Sequence, residues 1–367
     1  MNTAYLEHHV HRSGHRLYAH EYPGAEPTVL LLHGFPDNLH LYDALVPYLV
    51  EAKRRVITFD FLGWGQSDQP DHHAYTHHSL TDDLDAVIRY FKLESVVLVA
   101  HDASGPPAID WSLDHPDAIA GLVLLNTYYH AMPSLRAPEA IFGFSRPFGI
   151  GKAFQWLMEQ GDLYRRLYWY QVGHFMREAS AREHFVPLLY QQMDGKAAHT
   201  TRKAFYALND DLVWTNIDRL RRVPELRRFD RPVRIVFGAG DQYLNEGVAR
   251  AFQRLFPNSE LLLLPEGRHF VQIDEPEQVA EAILTLPAAT VPATITAHVS
   301  PYTRTSEKMR YRLMYLAFGL MNIVFALPIL FDRWLLYRRV QRIFEMDNAQ
   351  NHSAHNTQLD KDTAAEQ

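Results

Sequence analysis

The chain's short apolar runs end, one after another, in glycine, aspartate or histidine, and this pattern limits the fold more than any other feature. Thr28–Leu32 runs into His33-Gly34, Val56–Asp60 into the glycine-punctuated FLGWGQSD, and Ser95–Ala100 into His101-Asp102. Leu122–Leu125, Val233–Phe237 and Leu261–Leu264 complete the set. Helical patterns lie between most of them, as at Leu80–Phe91 and Pro276–Leu286. Continuous apolar strands alternating with helices argue for a parallel sheet covered on both faces. Two earlier runs, Leu6–Val10 and Leu17–Glu21, read as a hairpin around Ser13-Gly14. One interval, 127–228, breaks the alternation. It is rich in aromatic residues and Arg, has helical spacing and contains no clear strand. It reads as a helical cap inserted between the sixth and seventh strand positions.

Composition narrows the function classes. The 367 residues leave room for one large domain or two smaller ones. With 47% hydrophobic and 22% charged residues, a mostly disordered chain, a collagen and a disulfide-built mini-protein are excluded. The net charge of −7 gives no reason to expect a nucleic-acid partner. The chain has no cysteine, so it can have no disulfide framework, thiolate metal site or cysteine nucleophile. The N-terminal segment lacks an apolar signal-peptide core, so no cleaved secretion signal is expected.

Strand ends in a parallel sheet are where chemistry concentrates, because loops converge there beside helix N-termini. Three acid/base residues follow such ends: Asp102, Asp241 and His269. Around Asp102, small residues stand two positions before and two after, Ala100 and Ser104. A strand turning sharply into a helix leaves no room for larger side chains there, and it lifts the central side chain above the sheet. Ser104 is the alternative nucleophile. Its weakness is that Asp102 and Pro106 would then occupy the small-residue positions.

These pieces identify a resemblance. HGFP at 33–36, DFLGWGQSD at 60–68, VAHDASG at 99–105, GAGD at 238–241 and GRHF at 267–270 resemble the α/β-hydrolase superfamily, in its epoxide hydrolase and haloalkane dehalogenase branch with an aspartate nucleophile. The resemblance implies an α/β-hydrolase fold: a mostly parallel central sheet with helices on both faces and an inserted helical cap. It also implies a mechanism that residue chemistry supports. A carboxylate is already ionised at neutral pH. It can attack an sp³ carbon and form an alkyl ester, which an activated water then hydrolyses. His269 is the base, since an imidazole titrates near neutrality. Asp241 orients it and stabilises the imidazolium. The backbone N–H groups of Phe35 and Ala103 form the oxyanion hole. Water is the second substrate, and no metal or organic cofactor is implied.

The leaving group divides the branch. In epoxide hydrolases a pair of cap tyrosines protonates the alkoxide, whereas in haloalkane dehalogenases a halide rests on Trp and Asn N–H groups. Ala103 stands where the dehalogenases have Trp, and Phe35 where they have Asn. No Arg near Asp102 is placed to hold a haloacetate carboxylate. The expectation is therefore an epoxide hydrolase-like enzyme, with a haloalkane dehalogenase using the same triad as the alternative. A serine-type esterase and a non-catalytic, membrane-attached scaffold stay open as further classes. No cap tyrosine falls on the usual spacing. Tyr168, Tyr170 and Tyr206 are the candidate donors, Trp156 is a halide-side alternative, and each has packing between cap helices as its competing role. The aromatic cap points to a small apolar substrate. His33 and His101 flank the site and are expected to support its loops. The histidines at 8, 9, 11, 15 and 20 and at 72, 73, 77 and 78 lack an acidic pattern that would make a metal site.

The expected organisation is a hydrolase core at 1–126 and 229–287, the cap at 127–228, a Pro/Thr-rich linker at 288–312, an apolar, basic-flanked helix at 313–343 and a disordered polar tail at 344–367. Leu313–Phe331 carries no charge. As a helix it would span about 28 Å, close to a bilayer core. Arg310, Arg312, Arg333, Arg338, Arg339 and Arg342 flank it, with Trp334 and Tyr337 as interfacial anchors. Membrane association through 313–331 is expected, on the cytoplasmic side or in the membrane, with packing on the cap or on a second subunit as the alternative.

Overall fold

The apolar runs become the strands of one sheet. The structure is a computed structural model that describes residues 3–132, 134–136, 138–144, 150–194 and 198–286. The segments expected as linker, apolar helix and tail lie outside the described residues. Among the described residues no helix is long and apolar enough to cross a membrane.

The strands are β1 (Leu6–Arg12), β2 (His15–Tyr22), β3 (Ala25–Leu32), β4 (Arg54–Phe59), β5 (Val96–Asp102), β6 (Ile119–Thr127), β7 (Val233–Gly238) and β8 (Ser259–Leu264). They lie side by side in the order β1-β2-β4-β3-β5-β6-β7-β8. β1 and β2 form the antiparallel hairpin, and β2 joins β4 antiparallel. Every other pairing is parallel. Successive residues of a strand face opposite sides of a sheet. Val97, Leu98, Val99 and Ala100 are nevertheless all buried, so both faces of β5 are covered.

Strand lengths depart from the sequence reading in one direction. β3 begins at Ala25 rather than Thr28, because the Ala25 N–H donates to the Lys53 carbonyl at 2.7 Å and Ala25 pairs with Arg54. β6 extends the expected Leu122–Leu125 at both ends. Apolarity marks the buried middle of a strand, while the ladder continues through residues of any type.

The core helices are α1 (Val46–Glu51), α2 (His77–Phe91) and α3 (Gly105–Asp114). Between β6 and β7 come α4 (Glu139–Phe144), α5 (Ile150–Met158), α6 (Leu163–His174), α7 (Ala179–Tyr190), α8 (Ala198–Asp218) and α9 (Val223–Leu226). α10 (Glu246–Leu255), α11 (Val271–Asp274) and α12 (Pro276–Leu284) follow β7 and β8. α2 starts three residues earlier than its apolar pattern, because Thr76 and Ser79 form a reciprocal capping box.

The interval between β6 and β7 is pinned to the loops after β3 and β4. Gln192 accepts the Gly65 N–H at 2.6 Å and donates to the carbonyls of Asp37 at 2.8 Å and Pro36 at 3.2 Å. Asn38 donates to the Leu188 carbonyl at 3.1 Å. His77, at the start of α2, meets the Asp211 carboxylate through both its backbone N–H and its ring. Gln192 is buried, so its removal strands the Gly65 donor and deprives two carbonyls of a partner. Gln192→Ala should lower the unfolding free energy by about 1–3 kcal/mol in urea titrations. The exposed Gln160→Ala should change it by about 0.5 kcal/mol or less.

Candidate active site

β5 delivers Asp102 through a tight turn into α3. Asp102 has φ +50°, the left-handed region that a residue with a Cβ rarely adopts. Its neighbours hold it there. The Ser104 hydroxyl donates toward the carbonyls of His101 and Leu32, each at 2.8 Å, and accepts the His101 N–H at 3.0 Å. The Thr127 hydroxyl donates to the Asp102 carbonyl. Gly34 comes so close that a Cβ there would lie 2.7 Å from the Asp102 Cβ. At Gly105 an added Cβ would collide with the Thr127 side chain. The glycines around the turn are thus explained by the close approach of the Asp102 side chain at Gly34 and of the Thr127 side chain at Gly105.

That arrangement also deals with Ser104. Its hydroxyl is fully buried and committed to three backbone groups, so it acts as a clamp on the turn.

Asp102 Oδ2 accepts the Phe35 N–H at 3.2 Å, and the Ala103 N–H also bonds the carboxylate. Backbone N–H groups thus converge on this carboxylate, with Oδ2 on the Phe35 donor. Burial pushes the Asp102 carboxyl above its usual value, against the pull of the His269 charge and of these two N–H groups.

Asp241 and His269 stand beyond the ends of β7 and β8. His269 Nδ1 donates to Asp241 Oδ2 at 2.7 Å, which leaves Nε2 as the working nitrogen. Asp241 Oδ1 accepts the N–H groups of Tyr243 at 2.8 Å and Leu244 at 3.1 Å. Burial works to raise the Asp241 carboxyl, but the His269 charge and these hydrogen bonds hold it below the usual carboxylate value. Burial likewise opposes charge on His269. The Asp241 carboxylate outweighs it, with help from Asp102 and Asp37, and the imidazole is pushed up to about 9. Phe175 covers the ring with its own at 4.8 Å.

His33 and His101 are neutral supports. His33 donates to the Gly34 carbonyl at 2.7 Å and accepts the Phe61 N–H at 3.1 Å, tying the loops after β3 and β4 together. His101 Nε2 donates to the His269 carbonyl at 3.0 Å. Burial lowers both well below the usual imidazole value.

The candidate leaving-group donors scatter. Tyr168, on α6, is buried and donates to the Pro36 carbonyl at 3.2 Å, next to Phe35. Tyr206, on α8, is buried with a hydroxyl that has no partner, and its ring packs on Phe144 at 4.9 Å. Tyr170 lies two residues from Tyr168, hence on another side of the helix, and stacks on His174. Trp156 is 66% exposed on α5, so it is not enclosed with a buried leaving group. A correction applies to it: the apolar spacing of α5 buries other positions and turns this indole to solvent.

Three residues of the site were not singled out from the sequence. Asn126, at the end of β6, donates to Asp241 Oδ2 at 3.0 Å, the oxygen that also takes the His269 hydrogen bond, and accepts the Gly238 N–H at 2.8 Å. Its place at a strand end was the available signal. Asp37 is a buried carboxyl that interacts electrostatically with Asp102 and His269. Trp64 is fully buried with an unpartnered Nε1–H, its ring 4.5 Å from that of Phe35. Among the described residues no group of three His, Asp or Glu is placed to hold a metal ion.

Removing the Asp241 charge should leave burial as the dominant influence on His269. In Asp241→Asn the imidazole resonances, followed by NMR, should titrate below about 6.5 instead of near 9. A His269 titration still near 9 in that variant would mean that another group charges it.

Comparison with known proteins agrees with this construction. The alpha/beta hydrolase fold family matches residues 27–276. The chain is 25% identical over 277 residues to a cis-3-alkyl-4-alkyloxetan-2-one decarboxylase of Xanthomonas campestris pv. campestris, covering 72% of this chain and 90% of that protein. It is 36% identical to a fluoroacetate dehalogenase of a Burkholderia species over 107 residues, 28% of this chain and 35% of that protein. Haloalkane dehalogenase 2 of Mycobacterium bovis is 24% identical over 264 residues, 71% of this chain and 88% of that protein. Among solved structures, epoxide hydrolase CorEH superposes with a TM-score of 0.59 at 19% identity, covering 77% of this chain and 98% of that one. An α/β hydrolase fold protein from Burkholderia ambifaria gives 0.62 at 21%, with the same coverage. With two thirds of its length matched by the family and the sheet order and site to go with it, the chain belongs to the alpha/beta hydrolase fold family.

Proposed function

We propose that the chain is an epoxide hydrolase-like enzyme that forms a covalent alkyl ester on Asp102. The observation that carries this reading is the occupant of the strained turn: a carboxylate at φ +50°, with one oxygen on the Phe35 N–H and the nearby hydroxyl of Ser104 locked away. Asp102 Oδ1 attacks a carbon that bears an oxygen leaving group. The C–O bond breaks and the ester forms. Water, deprotonated by His269 Nε2, then adds to the Asp102 carboxyl carbon. The developing oxyanion on Oδ2 is held by Phe35 and Ala103. Collapse breaks the bond to Oδ1 and releases the alcohol.

The charges support a timed base. In the free enzyme, Asp102 helps to keep His269 protonated. Esterification removes that negative charge, so the imidazole can give up its proton when a base is needed. The Xanthomonas relative is named for an oxetan-2-one, a strained ring in which carbon carries an oxygen leaving group. That name favours the same bond class.

A dehalogenase with the same triad is the second reading. The unpartnered, buried Trp64 N–H beside Phe35 favours it, because a halide needs only such weak donors. The dehalogenase relatives point the same way.

Single turnover in ¹⁸O-water, with a panel of epoxides and haloalkanes, tests the chemistry. The label should enter the Asp102 carboxylate while the first product molecule stays unlabelled. Asp102→Ala should lose turnover by about 10⁴-fold or more. His269→Gln should accumulate an adduct on Asp102, seen by intact-protein mass spectrometry. Because burial raises the Asp102 carboxyl, the acid limb of adduct formation should lie above the ordinary Asp value of about 3.9. Full turnover by Asp102→Ala, or label in the product alone, would remove the ester mechanism.

A further inference from the structure

Asp37 is a buried carboxyl that interacts with Asp102 and that the proposed reaction leaves unused. It is only 2% exposed, and its Oδ1 is buried without a hydrogen-bond partner. Its backbone is anchored on both sides. Its backbone N–H donates to the Gly34 carbonyl at 3.3 Å, and its carbonyl accepts from Gln192 at 2.8 Å. The titratable groups that interact with it electrostatically are Asp102, His269, Tyr42 and Tyr168. The two tyrosine hydroxyls are already committed, Tyr42 to the Leu32 carbonyl at 2.6 Å and Tyr168 to the Pro36 carbonyl at 3.2 Å. No Lys or Arg is among these groups.

An ionised carboxylate enclosed without a donor loses several kcal/mol of hydration that nothing returns. The neutral acid avoids most of that penalty. Asp102, by contrast, has two backbone N–H groups to hold its charge. Burial and the Asp102 charge push the Asp37 carboxyl up to about 8. Two carboxyls on one site, one given donors and the other denied them, is the arrangement that separates an acid from a nucleophile.

We infer that Asp37 is the general acid of this site, giving its carboxyl proton to the oxygen that leaves when Asp102 is alkylated. The inference rests on the ester reading and deepens it. It assigns the substrate to compounds whose breaking bond is C–O, since a halide ion needs no proton. The proton count closes. Asp102 takes the carbon, the C–O electron pair goes to oxygen, and that oxygen takes the Asp37 proton. Asp37 is now a carboxylate near a protonated His269 and recovers a proton from it. His269, neutral at that point, takes a proton from water as the hydroxide adds to the ester. Release of the alcohol and ionisation of Asp102 return the proton to His269, and the free enzyme is restored. Tyr168 is then a support for the Pro36 carbonyl rather than the donor.

The test uses the full chain in the His269→Gln background, where the ester should persist. Growth of the Asp102 adduct is timed by intact-protein mass spectrometry with styrene oxide and with 1-bromobutane, with and without Asp37→Asn. The amide keeps the shape of the side chain but has no acidic proton to give. The substitution should slow the styrene oxide adduct by about 100-fold or more and the bromide adduct by less than about threefold. With Asp37 present, the epoxide rate should also fall on the alkaline side; because His269→Gln removes a positive charge that lowers the Asp37 carboxyl, this limb should lie above about pH 8, and it should vanish in Asp37→Asn. Equal slowing of both substrates would mark Asp37 as a packing residue and overturn the proposal. So would an unchanged epoxide rate, or an alkaline limb that survives the substitution. Absence of any Asp102 adduct from His269→Gln itself would instead overturn the ester reading, and this inference with it.

Discussion

The left-handed backbone at Asp102 is the constraint on which the rest of the site depends. For a residue with a Cβ, that conformation costs about 1–2 kcal/mol. It persists because the surroundings over-determine it. The Ser104 hydroxyl ties the turn to β3, Thr127 ties it to β6, and glycines at 34 and 105 let both neighbours come close. The result is a carboxylate lifted to the end of the sheet, with the Phe35 N–H already on one of its oxygens. The parallel register of β3, β5, β6 and β7 brings the remaining pieces to the same end. Phe35, Asn126 and Asp241 come to the same end of the sheet as Asp102 because their strands point the same way.

Charge within this enclosed site is sorted by who receives hydrogen bonds. Asp241 has Asn126, Tyr243, Leu244 and His269 as donors, and it stays ionised. Asp102 has two N–H groups, and burial raises its carboxyl. Asp37 has none on Oδ1, and its carboxyl is pushed up to about 8. Three aspartates thus have three protonation behaviours. Desolvation penalises charge at all of them, and the His269 charge together with the hydrogen bonds each one receives offsets it to different degrees.

Much of this was legible in the sequence. Asp102, Asp241 and His269 each follow an apolar run, and a parallel sheet puts such positions at one end. The small residues at 100 and 104 marked the turn. The donor residues between β6 and β7 were much harder to read. Whether Tyr168, Tyr170, Tyr206 or Trp156 faces inward depends on how six helices pack, and sequence spacing gives only the side of each helix. Trp156 shows the difficulty, since a large aromatic in an apolar stretch turned out to be exposed. Asn126 and Asp37 escaped for another reason. Neither belongs to a residue pattern with a known chemistry, and each matters through partners more than eighty residues away or through the lack of one.

By itself the sequence determined the alternation of buried strands and helices, and it put forward Asp102, Asp241 and His269 as the candidate triad. Those depend on local properties: apolar runs, glycine where the chain must turn, and side-chain chemistry at strand ends. Tertiary structure decided the rest. It locked Ser104 into a clamp, committed the Tyr168 hydroxyl to a carbonyl and left the Asp37 carboxyl without a donor. The physical reason is that protonation and hydrogen bonding depend on what surrounds a group once water is excluded, and in this chain those surroundings come from segments far apart in sequence.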